Sequence, residues 1–168
     1  MTGARNVRGG LLLLSLGLGA GLAMSLYAFQ PLVPVPAPLA HYDDLPRRLI
    51  RLGHIAAIML PLINIVLGPW LDRLNLPGSL KEAASWLLLL GAATLPAALA
   101  LEAAVPTLIP LHLSAPPALA FCLGAFLVSA GAYRTNFQQE VSHASPDRRG
   151  TEDQADRRRA FQEAPRGI

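Results

Sequence analysis

The chain has 168 residues, 52% of them hydrophobic, a formal charge of +3 and one cysteine, Cys122. The length suits a small soluble domain, but the apolar residues come in blocks with charge confined to short gaps and a tail, the pattern of an integral helical membrane protein. The weak charge, mixed with acids, excludes a nucleic-acid-binding face, and a lone cysteine excludes an intrachain disulfide.

The first block, about Gly10 to Phe29, follows a short N-terminal stretch (residues 1–9) carrying Arg5 and Arg8. A helix needs about 20 apolar residues to cross a bilayer, and this block is long enough. A positive start and small residues near Gly21 and Ala23 also fit a signal peptide. The apolar run exceeds the usual signal core, which favours a retained helix. Gly17 and Gly21 form a GxxxG pair that permits close helix packing.

The loop that follows, "QPLVPVPAPLAHYDDLPRR", is rich in proline and predicted to be extended and partly polyproline-like. Its apolar residues place it on the protein or the headgroups. The second span runs from about Arg48 to Gly68. Asp43 or Asp44 can cap its start, and Pro46 suits its first turn. Arg47, Arg51, His54 and Ile58 then share one face. Arg47, Arg48 and Arg51 read as an interfacial collar suited to lipid phosphate, with Arg51 snorkelling upward. His54 lies about 9 Å below the Arg48 level. Asn64, deeper still, reads as interhelical glue.

A short turn with Pro77 and Gly78 leads to the third span, about Ala83 to Leu101, for which Ser79 and Glu82 form a candidate capping box. A second proline-rich loop holds His112. The fourth span covers about Pro116 to Tyr133. From residue 134 to 168 the chain is polar and mixed in charge, and it is predicted to be a disordered tail with a transient helix near Asp153 to Gln162. The expected fold is all-α: a four-helix transmembrane bundle over residues 10–133.

Arg5, Arg8, Arg73, Lys81, Arg134, Arg148 and Arg149 outweigh Arg47, Arg48 and Arg51 under the positive-inside rule. Trp70 and Trp86 flank one short loop as interfacial anchors. The expectation is a plasma-membrane protein with both termini cytoplasmic. The lipid bilayer is its first partner, other membrane subunits are the second, and no nucleic acid is expected.

His41, His54 and His112 then share the outer side, with Glu102 and Cys122 near them. They are the candidate ligands for a transition metal or an axial haem pair, without HxxH, CxxC or CxxCH spacing. Tyr42, Asp43, Asp44 and Arg51 offer a quinol-head alternative. No nucleophile–base set, phosphate-cradling loop or carboxylate pair lies in the spans, which argues against an enzyme. Three roles fit these residues: an accessory or scaffold subunit of a membrane assembly, a redox or metal-handling protein, or a small oligomeric transporter built on Pro61, Pro96 and Asn64.

Overall fold

The computed structural model describes residues 2–28 and 32–144. Four α-helices make up most of it: α1 (Thr2–Ala28), α2 (Leu45–Leu71), α3 (Gly78–Ala104) and α4 (Ala115–Ala144). No strand occurs among the described residues. All four helices are long and apolar enough to cross a bilayer. Intrahelical hydrogen bonding is the economical way to satisfy backbone in lipid. The expected all-α membrane architecture is the observed one.

Every helix extends beyond its apolar block. The difference that matters for packing is at α1, which begins at Thr2 and takes in Arg5, Asn6 and Arg8. Charge ends a hydropathy block, but it need not end a helix whose polar side chains find partners. Here the partners of Arg5 and Asn6 lie on α2 and α3. The start of α1 is capped from outside. Asp72, just after α2, accepts bonds at Oδ1 from the Thr2 hydroxyl at 2.8 Å, the Thr2 N–H at 3.2 Å and the Gly3 N–H at 3.3 Å. A carboxylate at a helix N-terminus meets free donors and the positive end of the macrodipole.

Asp44 takes the N-cap position of α2, but its side chain makes no capping bond. Its carbonyl accepts from Arg48 instead. The Ser79–Glu82 capping box is not formed. Pro77 holds the N-cap position of α3, so Ser79 falls inside the first turn, and Glu82 reaches Arg5. The proline-rich loops also differ from the extended chain expected. They contain 3-10 turns at Ala37–Leu39 and Pro106–Leu111. Leu39 is buried, so the first loop rests on the bundle.

The chain divides at Tyr133 into two units. The described part of the second is the end of α4 up to Ala144, helical where the tail was predicted to be disordered. The expected helix at Asp153–Gln162 lies outside the described residues.

Within the bundle, α3 is the central helix. Ala84, Leu88 and Ala92 are buried against Leu71 of α2, Leu74 of the turn, and Phe121 and Val128 of α4. Small residues bring the backbones together. A Cβ on Gly91 would stand 2.9 Å from the Phe121 nitrogen, and one on Gly124 would stand 3.0 Å from the Leu88 nitrogen. At the other extreme, α1 exposes Leu12, Leu16, Leu18 and Leu22, the last by 73%. In a membrane this face meets lipid, where exposure of leucine carries no penalty.

The α1–α2 interface is antiparallel and lined with small residues. Gly3 lies against the Gly68 carbonyl, Gly10 against the Pro61 carbonyl, Gly17 against the Ala57 carbonyl and Gly21 against the His54 ring. The Gly17 contact has a backbone cause. Pro61 lies inside α2 and has no N–H, so the carbonyl four residues back, Ala57, loses its helical donor. That oxygen is the atom nearest to where a Gly17 Cβ would stand. Only glycine lets the two backbones meet there, and its Cα–H groups offer the released oxygen weak donors.

Candidate functional site

Two polar features occupy the bundle. The first is a hydrogen-bonded chain through α1, α2 and α3. Asn6, Asn64 and Ser85 are each fully buried, one from each helix. Asn6 Nδ2 donates to Asn64 Oδ1 at 2.7 Å. Asn64 Nδ2 donates to the carbonyls of Leu60 at 3.1 Å and Leu88 at 3.2 Å. The Ser85 hydroxyl donates to Asn6 Oδ1. Arg5 in turn donates to Ser85 Oγ from Nε at 3.2 Å and Nη2 at 2.9 Å.

The direction of this chain follows from its ends. Arginine is only a donor, so the Ser85 oxygen must accept and its proton must point to Asn6. The Asn6 amide then donates to Asn64, and Asn64 donates to two backbone carbonyls, which only accept. Every bond runs the same way, and such chains polarise one another favourably. Arg5 is held further by Glu82 at 3.3 Å and by the Trp86 ring, 4.4 Å from the guanidinium carbon.

Asn6 and Ser85 were not singled out in the sequence. Asn6 lay in a stretch that hydropathy placed before the first span, and Ser85 was one serine among apolar residues. A usable signal existed: Gly3, Gly10 and Gly17 recur every seven residues and mark one α1 face that includes Asn6.

The second feature is His54. Its ring edge lies against Gly21, where an added Cβ would stand 2.6 Å from Cε1. His54 Nδ1 is buried and is the only such side-chain atom without a hydrogen-bond partner among the described residues. The imidazole lines a cleft of about 160 Å³ with Ala20, Met24, Ile50, Gly53, Pro96 and Ala100. A second cleft of about 250 Å³ continues along Leu13, Gly17, Pro61 and Ala93, and the two share Ala20, Ala57 and Pro96. The combined trough between α1, α2 and α3 is apolar apart from His54.

The proposed histidine ligand set is not assembled. Among the described residues no three histidine, cysteine or carboxylate groups are arranged to hold a metal ion. Each group has another setting. His41 is exposed in the first loop. His112 has φ 48° and ψ 48°, a left-handed conformation that ends the second 3-10 turn and directs the chain into α4. Glu102 is buried, and its Oε1 accepts from the Ser114 N–H at 3.0 Å just before α4. Cys122 is exposed.

Near the start of α2, two of the three collar arginines turn onto Tyr42. The Arg51 guanidinium carbon lies 4.3 Å from the ring centroid and that of Arg47 lies 5.0 Å away. Arg47 also donates to the Leu39 carbonyl and Arg51 to the Tyr42 carbonyl. Arg48 is exposed beside them.

At the opposite end, the Thr2 hydroxyl bond, followed by the Gly3 N–H, holds the Asp72 carboxyl below its ordinary range, against a smaller opposing effect of burial. Lys81 Nζ donates to the Asp72 carbonyl at 3.0 Å, satisfying an open acceptor at the end of α2. Comparison of the chain with protein-family models, curated proteins and solved structures returns no match.

Proposed function

We propose that the protein is a non-catalytic membrane subunit that holds a lipid-like molecule, with an apolar body and one hydroxyl or carbonyl head, in the trough at His54. The observation that carries this reading is the unpartnered Nδ1 of His54. A buried polar atom without a partner costs about 1–3 kcal/mol, so such atoms are rare unless something meets them. The His54 cleft is of the right size for a ring. A cavity of about 150 Å³ accommodates benzene. A quinone or quinol head with an isoprenoid tail along Gly17 and Pro61 matches the polarity of the trough. The absence of a catalytic constellation in the sequence supports an accessory role beside other membrane subunits. The proposed setting is the plasma membrane with both termini cytoplasmic, and Arg48 meets headgroup phosphate on the outer side. A reporter active only outside, silent after Arg134 and active near Pro36, tests that orientation.

The test of the site is thermal stability in mild detergent with decylubiquinone added. Wild type is expected to show a saturable rise, about 2.7 kcal/mol at a hundredfold excess over Kd. His54→Phe keeps a ring but removes both nitrogens, and it should lose most of that rise. No saturable stabilisation of wild type, or an equal rise in His54→Phe, overturns the reading.

A further inference from the structure

We infer that the groove between α1 and α3 at the Arg5 end is a binding site for an anionic phospholipid. The groove has a volume of about 540 Å³ and is lined by Arg5, Arg8, Gly9, Leu12, Trp86 and Leu89. Its composition changes along its length. Arginines and the tryptophan stand at one end, and Leu12 and Leu89 lie below. Arg5 to Leu12 covers about 10 Å of helix, so charge and acyl-like surface occur at the separation found within one phospholipid.

Charge complementarity selects the occupant. Arg5 is already engaged by Ser85 and Glu82 and is stacked on Trp86. Arg8, one turn further, is exposed and makes no ion pair among the described residues. Two arginines and one glutamate leave a single positive charge at the mouth of an apolar groove. A zwitterionic lipid brings its own cation to that mouth, whereas an anionic lipid brings an unopposed phosphate. Trp86 is half-exposed and belongs at headgroup depth, which sets the level of the phosphate. Basic pockets between membrane helices recognise anionic headgroups in this way. The groove is separate from the His54 trough and rests on different residues.

The experiment uses the full chain in mild detergent, with phosphatidylglycerol and phosphatidylcholine of identical acyl chains as probes and native mass spectrometry as the readout. Wild type is expected to retain phosphatidylglycerol preferentially. Arg8→Gln should reduce that preference on the order of fivefold, the effect of one cation near a headgroup. Leu12→Gln should weaken retention of both lipids, because it places an amide on the acyl path. His54→Phe should leave the preference unchanged. Equal retention of the two lipids by wild type, or an intact preference in Arg8→Gln, overturns the proposal. Displacement of phosphatidylglycerol by an equal concentration of inorganic phosphate also overturns it, because the groove would then read phosphate alone. If the preference emerges only after removal of residues 145–168, a segment of mixed charge, that segment is the native occupant, and the proposal fails.

Discussion

Asn6 and Asn64 are 58 positions apart in sequence, and their side-chain amides meet at 2.7 Å inside the bundle. Each has a further partner, so removal of one orphans two others. Asn6→Ala leaves Asn64 Oδ1 without its donor and the Ser85 hydroxyl without its acceptor. The expected loss is about 1–3 kcal/mol, above the 0.6 kcal/mol average for a membrane hydrogen bond. Asn6→Leu with Asn64→Leu should lose less than the sum of the two single changes, because the partners vanish together. Reversible unfolding in detergent measures all four states of this cycle. Additive losses would show that the amides do not act as a pair.

Gly17 and Gly19 make a matched comparison. A Cβ at Gly17 would strike the Ala57 carbonyl, whereas one at Gly19 meets nothing within 4 Å. Both changes add the same methyl and the same helix propensity. Gly17→Ala should destabilise by about 1–3 kcal/mol through overpacking. Gly19→Ala should be neutral or stabilising, up to about 1 kcal/mol. Equal effects would mean that the α1–α2 contact is looser than the structure shows.

The Asp72 bond to Thr2 makes stability sensitive to acid. The carboxyl is lowered in the folded state from an ordinary value of 3.8. Its contribution is therefore complete above that value and is lost as pH falls through the lower, folded one. Asp72 is exposed, so the effect is small, and salt should weaken it. Thermal scans between pH 3 and 6 should show a slope that flattens in Asp72→Asn. An unchanged slope would remove Asp72 as the cause.

Ser79 and Glu82 test the start of α3. Loss of a working N-cap serine typically costs about 1 kcal/mol. Because Pro77 holds the cap position, Ser79→Ala should stay within about 0.5 kcal/mol of wild type. Glu82→Gln should instead loosen Arg5, read as faster hydrogen exchange at the first turns of α1. A cost near 1 kcal/mol for Ser79→Ala would reinstate the capping box.

The helices were legible because lipid demands long unbroken apolar runs, and the blocks around Leu13, Ile58, Leu88 and Leu123 satisfy that demand openly. Their ends were not. Hydropathy sees Arg5 as the edge of a span, since it cannot see Ser85 and Glu82, which arrive from 80 and 77 positions away. The same blindness affected the histidines. A common side of the membrane grouped His41, His54 and His112, but backbone conformation decides their settings. His112 is used to turn the chain, and His54 is turned toward α1 by glycine spacing. The trough at His54 needed three helices to exist, and no one of them carries its pattern.

The buried chain from Arg5 to Asn64 also orders events during synthesis. Arg5 and Asn6 are made on the first helix, and Ser85 follows 79 positions after Asn6. At about 5–20 residues per second the interval is on the order of 4–16 s. Throughout that time the nascent first helix carries a guanidinium whose hydroxyl and carboxylate partners do not yet exist, and an amide that gains only Asn64 before the end of it. It must wait at the translocon or the headgroup layer rather than sink to its final depth. A chain stalled after the second helix would still have Asn64 to offer Asn6, but it would lack both the hydroxyl and the carboxylate that hold Arg5. Such a chain would expose a charged, poorly seated helix to the cell's membrane proteases. The third helix thus completes the polar seat of the first.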